Sequence, residues 1–499
     1  MKKILTYVCA ALLLCGCNNA EIPASYQTSN VQPKIYPDYI DVTVPVNIAP
    51  LTFELKDDNA KLVACYKYGN DQIVVGEDNK AMPDIDDWKQ LTQKAKGHAI
   101  EVDVYADNGK GWTKYKPFHI YVSTDSIDPY ISYRLITPSY VTYEELTLNQ
   151  RCLENFDEKV MVDNMLCSEE NNGQCVNCHN YQMYNPNKMQ FHARQNNGGT
   201  IININGKLRK VSLKNDSTIA SGVYPSWHPF LNIIAYSTNK TGQSFHTKDL
   251  NKIEVLDTKS DLVMYDIDKN EVSNIQAEPN EFEIFPCWAP DGKSIYYGSA
   301  HFEYADTVSE SEAIRRCKEI KYSLYRRTFD LKTHRFGPKE MVFDAASMGK
   351  SATLPRVSPD GRFLMFTLGE WGCFHIWHRD ADLYMMDLKN KNVFPLTAVN
   401  SDKAESFHNW SSNSRWVLFS SRRNDGNFTR LFIAHIDKNG HGSKAFEVPC
   451  SDPDYNRQLM KSYNIPELMK GPVTVTPQQF ADELKNGETV KAVFVSNKK

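Results

Sequence analysis

The chain has 499 residues, more than one compact core normally holds, so its length predicts two or more domains. Its formal net charge of -4 at pH 7 does not indicate binding to nucleic acid or to an acidic membrane surface. The 26 Tyr, 23 Phe and 8 Trp, with 24 Gly and 24 Pro spread along the chain, are typical of many short strands and turns. This composition excludes a disordered or fibrous protein.

The N-terminus carries the first informative pattern. Lys2 and Lys3 precede an apolar run from Ile4 to Leu14, which indicates a signal peptide over residues 1–16 rather than a short membrane anchor. The ending Leu14-Cys15-Gly16-Cys17 resembles the lipobox of bacterial lipoproteins, and the resemblance implies acylation of Cys17. A dense acidic run does not follow Cys17. The prediction is a cell-envelope protein, lipid-anchored on the outer membrane and facing the periplasm.

Residues 17–34 are polar and contain Pro, which predicts a tether. Residues 35–125 alternate apolar and polar residues over short runs separated by turn residues. That pattern predicts an immunoglobulin-like β-sandwich, with one helical turn near Asp86.

A repeated hairpin follows. Its four copies begin at Tyr224, Phe285, Leu354 and Phe407, and the motif is typified by Ser358-Pro359-Asp360-Gly361. Each copy precedes a second hairpin, and two further second hairpins lie upstream, at residues 146–162 and 200–211. These repeats resemble those of TolB-like propellers, which implies a six-bladed β-propeller over residues 126–453. Residues 454–499 are predicted to be a partly helical tail packed on it.

The segment Cys175-Val176-Asn177-Cys178-His179 matches the haem c attachment pattern Cys-x-x-Cys-His. Two thiols at this spacing can bind the two vinyl groups of one porphyrin, and the following imidazole can bind the iron. These five positions resemble c-type cytochromes, which implies one covalent haem c held by Cys175, Cys178 and His179. Haem is attached outside the cytoplasm, so the predicted export agrees with the motif.

Other interpretations of the motif are weaker. A thioredoxin-like pair needs a βαβ context, and a structural zinc site needs a second pair of ligands nearby; the sequence indicates neither. The pair His375 and His378 also has metal-ligand spacing, but lacks an adjacent third ligand.

The sixth iron ligand is predicted from the propeller register. If Pro186 and Asn187 form the first turn of a blade, His192 lies about 10 Å beyond Met189, toward the haem. His192 is therefore the preferred ligand. The alternatives are Met183, Met189, His246, His301, His375 and His378, or an open position.

The predicted function is electron transfer or redox sensing by one haem, with a redox or envelope protein as partner and the membrane contacted through Cys17. A non-redox binding or assembly scaffold of the envelope is the alternative. A peroxidase-like haem enzyme is a third possibility and would need an open iron position. An electron carrier or binding protein is favoured over an enzyme.

Overall fold

The computed structural model describes residues 20–56, 60–76, 78–137, 145–169, 173–249, 251, 253–305 and 310–496. The predicted signal peptide and Cys17 lie outside these residues. The described chain consists mainly of short β-strands with a few short helices, which confirms the all-β fold. None of its helices has both the length and the apolar character that a bilayer-spanning segment needs.

The N-terminal domain consists of two sheets and one helix. Its elements are β1 (Gln27–Thr28), β2 (Ile35–Tyr36), β3 (Val42–Val44), β4 (Phe53–Leu55), β5 (Lys61–Tyr68), β6 (Asp71–Val75), β7 (Lys80–Ala81), α1 (Ile85–Lys94), β8 (Ala99–Asp107), β9 (Thr113–Lys114) and β10 (Phe118–Val122). Strands β2, β4 and β7 form the smaller sheet, and the other seven form the larger one. Residues from both sheets share one buried core, so the domain is a β-sandwich.

This domain differs from the sequence prediction in two places. Strand β1 lies in the expected tether, yet it pairs with the edge strand β9, so the sandwich begins before residue 35. Helix α1 has ten residues instead of one turn. Asp84 caps its N-terminus by accepting hydrogen bonds from the backbone N–H groups of Asp86 and Asp87. Trp88 and Leu91 anchor the helix in the core.

The remaining elements form the propeller and its C-terminal extension. The strands are β11 (Tyr130–Ile136), β12 (Leu146–Cys152), β13 (Glu158–Asp163), β14 (Val176–Tyr181), β15 (Lys188–Ala193), β16 (Gly199–Ile204), β17 (Lys207–Ser212), β18 (Gly222–Trp227), β19 (Ile233–Phe245), β20 (Ile253–Asp266), β21 (Glu271–Gln276), β22 (Glu281–Trp288), β23 (Ser294–His301), β24 (Ser323–Thr328), β25 (Glu340–Phe343), β26 (Ser351–Val357), β27 (Phe363–Gly369), β28 (Asp382–Asp387), β29 (Val393–Pro395), β30 (Glu405–Trp410), β31 (Trp416–Ser421), β32 (Arg430–His435), β33 (Phe446–Glu447), β34 (Ser462–Met469), β35 (Thr489–Lys491) and β36 (Val493–Phe494). The helices are α2 (Asn164–Cys167), α3 (Glu310–Arg315), α4 (Tyr455–Gln458) and α5 (Pro477–Asn486), and single 3₁₀ turns occur at Cys317–Glu319, Ala346–Met348 and His375–Trp377.

Six four-stranded antiparallel blades are formed by β11 to β34. Blade 2 runs outward from β14 to β17, and blades 3 to 6 repeat this order with β18–β21, β22–β25, β26–β29 and β30–β33. Blade 1 has the order β34, β11, β12, β13. The innermost strands β14, β18, β22, β26, β30 and β34 contact one another in turn around a central channel. The blades therefore form a closed six-bladed propeller.

The C-terminal segment closes this ring. Strand β34 lies inside blade 1, paired with β11, although the sequence assigns residues 454–499 to a tail outside the propeller. Helix α5 packs against α2 and β13. Strands β35 and β36 extend blades 2 and 3 by parallel pairing with β17 and β21. Part of the predicted tail is thus an integral part of the fold.

The propeller has two different faces. On the lower face, the innermost strands of blades 2 to 6 turn into the second strands of their blades, as at Ser358–Gly361 in blade 5. On the upper face, the innermost strands begin and the second strands connect to the third ones through longer segments. The sandwich domain packs against blades 6 and 1, because its core continues through Trp416, Leu418 and Tyr463.

Candidate functional site

The Cys-x-x-Cys-His motif lies on the innermost strand of blade 2. Cys175 immediately precedes β14, and Cys178 and His179 lie within it. These residues are 3%, 2% and 1% exposed, respectively. The sequence predicts the motif at the face where the chain crosses between blades. The structure places Cys175 at that end and the other two residues deeper, in the wall of the channel.

Cys178 occupies a position that recurs in every blade. Each innermost strand has a β-bulge against its second strand, with one non-glycine residue at positive φ: Cys178 (55°), Tyr224 (49°), Phe285 (55°), Leu354 (53°), Phe407 (50°) and Ile465 (48°). The next residue is Pro in four blades and His in two, namely His179 and His408. Part of the motif therefore coincides with a structural repeat of the propeller.

The imidazole of His179 is buried between blade 2 and blade 1. Burial lowers its pKa to about 4, so the ring is neutral at pH 7. Its neighbours include the backbone of Ser132, the guanidinium of Arg134 and the ring of Tyr181, 6.2 Å away between centroids. Among the described residues, neither ring nitrogen has a hydrogen-bond partner of normal geometry. A neutral, unpaired imidazole has the electronic state of a metal ligand.

The two thiols of the motif are present as free cysteines. The nine cysteines from Cys65 onward are all buried and unbridged. The guanidinium Nη2 of Arg134 lies 3.8 Å from the Cys175 Sγ. Burial raises the pKa of the Cys178 thiol, which keeps it protonated at neutral pH.

His192 does not meet His179 in this fold. Across the bulge, Asn177 pairs with His192 and Asn180 pairs with Gln190, which leaves His179 opposite Phe191. Side chains alternate between the two faces of a strand, so His179 and His192 project to opposite faces of the blade. The Nδ1 of His192 lies 3.1 Å from the hydroxyl of Thr200 instead, and burial lowers its pKa to about 3.

The other predicted ligands are also engaged elsewhere. Met189 belongs to the core between blades 1 and 2, and Met183 is 40% exposed on the lower face. The contacts of the histidines are His301 with Glu281, His375 with Thr353, and His378 with Glu254. His246 is half-buried beyond the end of β19. Over the described part of the chain, no three His, Cys, Asp or Glu residues are grouped to hold a metal ion.

The channel beside the motif is too small for a porphyrin. Tyr224, Phe285, Leu354 and Phe407 fill it around Cys178 and His179, leaving a cavity of about 20 Å³. Pockets that enclose an organic ligand measure roughly 300–1,000 Å³. The donor set of the motif suits haem c, but its surroundings, as packed here, do not accommodate one.

A ring of polar side chains joins the blades below the motif. It occupies the second position after each bulge: Asn180, Ser226, Cys287, Arg356, Asn409 and Glu467. Several members bind the neighbouring blade, as in the bond from the backbone N–H of Trp227 to the side-chain oxygen Oδ1 of Asn180 (3.1 Å) and that from the backbone N–H of Trp288 to the Ser226 hydroxyl (3.0 Å). Glu467 accepts hydrogen bonds from the side-chain amides of Asn180 (3.5 Å) and Asn409 (2.7 Å). These contacts give the ring a structural role.

A larger cavity, here called the upper pocket, opens on the upper face. Its volume is about 610 Å³, and its lining includes Asn251, Trp377, Arg379, Lys403, Arg422 and Asn427. Blades 3, 5, 6 and 1 all contribute to it, because β34 and the connections after the second strands of these blades meet there. The sequence does not reveal this pocket, because its lining residues lie far apart in the chain and share no local pattern.

The hairpin of β19 and β20 forms one side of the upper pocket and is fixed to blade 5. Glu254, fully buried, accepts hydrogen bonds from the Trp371 Nε1 (3.0 Å) and the His378 Nε2 (3.1 Å). The backbone N–H of Arg379 donates to the side-chain oxygen of Asn251 (3.2 Å). A buried carboxylate with two such partners holds the hairpin in place, so this side of the pocket is preformed.

Family models and curated proteins give no match to the chain. Among solved structures, a prolyl endopeptidase matches with a TM-score of 0.33 and 10% identity, over 64% of this chain and 42% of that one. An oligogalacturonate lyase in complex with manganese matches with a TM-score of 0.32 and 11% identity, over 82% and 99%. The periplasmic gluconolactonase of Pseudomonas aeruginosa matches with a TM-score of 0.30 and 11% identity, over 64% and 97%.

This chain thus spans less than half the length of the prolyl endopeptidase that it matches. The assignment of the propeller rests on the strand pairing of the chain itself, in which six blades surround one channel.

Proposed function

We propose that this protein is a non-redox binding protein of the bacterial cell envelope, with its ligand site in the upper pocket. The observation that carries the proposal is the cavity of about 610 Å³ that four blades form on the upper face. A volume of this size is typical of a site for a small organic ligand. The resemblance of the repeats to TolB-like propellers and the predicted acylation of Cys17 support an envelope location.

The lining of the upper pocket has the mixture of surfaces that ligand sites use. Arg422 is 9% exposed, and its guanidinium carbon lies 3.9 Å from the ring centroid of Trp377. Asn427 lies on an exposed loop whose backbone is fixed by hydrogen bonds from the N–H groups of Asn427 (2.6 Å) and Phe428 (2.9 Å) to the Asp425 carboxylate. Fixed polar groups beside an aromatic ring favour specific binding over a general adhesive surface.

A ligand screen tests this proposal. The probes are neutral and acidic disaccharides, amino acids, dipeptides and nucleotides, measured by their effect on the thermal unfolding temperature. We expect at least one class to raise that temperature for the wild type, since a ligand at 100 times its Kd stabilises by about 2.7 kcal/mol.

The variant Asn427→Trp fills the upper pocket from its exposed loop, and we expect it to lose that response. Lys389→Trp is the matched control, because Lys389 is exposed in the turn between β28 and β29, at the lower face. The proposal fails if no probe stabilises the wild type, or if every effective probe stabilises Asn427→Trp equally well.

Haem attachment is the second candidate function. The observation that favours it is the buried imidazole of His179, whose nitrogens lack partners among the described residues and which lies on the same strand as the Cys178 thiol. The cavity of about 20 Å³ at the motif is the observation against it. This candidate requires the channel wall of blade 2 to pack differently when haem is attached.

Staining for covalent haem on a denaturing gel tests this second candidate function. The protein would be exported in a host with haem-attachment machinery, denatured, and stained for covalent haem on a gel. A haem protein would keep the stain in the wild type and lose it in the double variant Cys175→Ala/Cys178→Ala. An unstained wild type would eliminate the candidate.

A further inference from the structure

We infer that the ligand of the upper pocket is an acidic saccharide of about two rings. The inference rests on the proposed function and adds the class of ligand. It is drawn from three properties of the lining: an excess of positive charge, amide side chains, and apolar walls.

The charge of the lining favours an anion. Arg379, Lys403 and Arg422 supply three cationic groups, and Asp425 is the one carboxylate that lines the cavity among the described residues. A second carboxylate, Asp402, binds Arg379 and Lys403 from the rim, where its side chain is 73% exposed. Among the described residues, the lining therefore has more cationic than anionic side chains, and one of the cationic groups, Arg422, is buried.

The guanidinium of Arg422 is held in a fixed orientation. It stacks on Trp377, and its Nη1 donates to the carbonyl oxygen of Gly426 (3.4 Å). Gly426 has a φ of 77°, a conformation that favours glycine, so the loop around the arginine has a specific shape. A fixed, planar guanidinium binds a carboxylate with little loss of side-chain entropy.

The uncharged part of the lining favours a sugar over inorganic phosphate or a fatty acid. Asn427 carries an amide donor and an amide acceptor that can match hydroxyl groups, and Asn251, whose oxygen accepts from the backbone N–H of Arg379, adds an amide donor. Phe428 and Met460 add apolar walls suited to the C–H face of a pyranose ring. Inorganic phosphate would leave these walls without a contact, and a fatty acid would leave the amides unpaired.

The test compares two ligands that differ by one carboxylate. Cellobiouronate and cellobiose would be titrated into the full-length protein, with tryptophan fluorescence and calorimetry as readouts. We expect cellobiouronate to bind at least tenfold more tightly, because a charge-assisted contact of about 1.4 kcal/mol corresponds to that ratio. Raising the ionic strength should reduce this ratio.

Variants locate the effect. Arg379→Gln and Lys403→Met change side chains at the rim, and each should weaken cellobiouronate binding about tenfold while leaving the unfolding temperature unchanged. Lys389→Met, on the lower face, is the matched control and should bind like the wild type. Inorganic phosphate should not compete with cellobiouronate at equal concentration.

The inference is overturned if cellobiose binds as tightly as cellobiouronate, or if Arg379→Gln and Lys403→Met bind like the wild type. It also falls if another class in the ligand screen acts through Asn427 while cellobiouronate does not bind. In that last outcome the proposed function stands without this inference. If no ligand of any class binds, both are rejected.

Discussion

The innermost strands of blades 2 and 6 have closely related sequences but satisfy their polar groups differently. Residues 178–181 read Cys-His-Asn-Tyr, and residues 407–410 read Phe-His-Asn-Trp. Both strands bulge at the first of these residues, and in both the Asn joins the ring of contacts between blades. The Nε2 of His408 lies 3.2 Å from the carbonyl oxygen of Met365 in blade 5, whereas the ring of His179 faces the backbone of Ser132, the corresponding residue of blade 1, outside normal hydrogen-bond geometry.

This comparison shows which residues of the motif are explained by the propeller repeat and which are not. The propeller repeat accounts for a histidine after the bulge and for the asparagine that follows it, because blade 6 uses both without any cysteine. The repeat does not account for the thiol at Cys178. That thiol is where a function specific to blade 2 has to be sought.

The largest expected effect comes from the aromatic residue of blade 6. Trp410 is 3% exposed, and its Nε1 donates to the carbonyl oxygen of Arg356 (3.1 Å). Trp410→Ala should lower the free energy of unfolding by about 3–5 kcal/mol, measured by urea denaturation. In blade 2, Tyr181→Phe removes a weak contact with the Met161 sulfur (3.8 Å) and should cost less than about 1 kcal/mol. A loss below about 1 kcal/mol in Trp410→Ala would contradict its burial, and a loss above about 2 kcal/mol in Tyr181→Phe would contradict the weak contact of its hydroxyl.

Replacing His408 and His179 in turn compares the two blades at the same position of the repeat. His408→Leu removes a buried hydrogen bond and leaves the Met365 carbonyl unpaired, so it should lower the free energy of unfolding by about 1–3 kcal/mol. His179→Leu removes a ring whose approach to the Ser132 backbone lies outside normal hydrogen-bond geometry, so it should lower the free energy of unfolding by less than about 1 kcal/mol. A large loss in His179→Leu would mean that the ring makes an interaction absent from this packing.

At low pH, His179 and His408 should have similar effects on stability. Burial lowers the pKa of His179 to about 4 and that of His408 to about 3, below the ordinary value of about 6.5. The unfolded chain then binds more protons than the folded one. The contribution of each neutral histidine to the free energy of unfolding is therefore fully present above about pH 6.5. As the pH drops from there to the folded pKa, each histidine lowers the free energy of unfolding by up to about 1.4 kcal/mol per pH unit. Replacing either histidine with Leu should make the free energy of unfolding less dependent on pH below about pH 6.5, as measured by urea denaturation at several pH values. An unchanged pH dependence would contradict the burial of the replaced histidine.

The two thiols of the motif are each expected to make a small contribution to stability. Cys175→Ala and Cys178→Ala each remove one sulfur atom from a buried site, and each should cost about 1 kcal/mol of unfolding free energy. Because burial raises the pKa of Cys178, a thiol reagent should react with it in the folded protein far more slowly than in urea. Rapid reaction in the folded state would show that the channel wall opens readily.

The sequence predicted blades 3 to 6 well, because each carries an aromatic or aliphatic bulge residue, a tight turn and a second apolar strand. Blade 2 was harder to recognise, since Cys178 and His179 replace the aromatic residue and proline of other copies. The match of His179-Asn180 with His408-Asn409 was the available signal. The strands of blade 1 come from both ends of the propeller sequence, because β11 to β13 precede the other five blades and β34 follows them. The sequence pattern therefore assigned β34 to a tail.

The candidate sites were less predictable than the fold. The motif at Cys175 was visible in the sequence, but its burial and the projection of His192 away from His179 depend on the bulge register. The upper pocket depends on connections from four blades, and Arg379, Lys403 and Arg422 become neighbours only after the ring closes. Residue types at local spacings could not reveal it.

The closure of the ring by β34 has a consequence for the order of events during folding. Until residues 462–469 arrive, β11 has an unpaired edge and β14 lacks one neighbour on its channel side. Such an edge can pair with other chains, so the incomplete propeller is prone to aggregation. Any covalent modification of Cys175 or Cys178 is also easiest in that interval, before the last strand buries them. The motif is therefore more accessible before β34 inserts than after it.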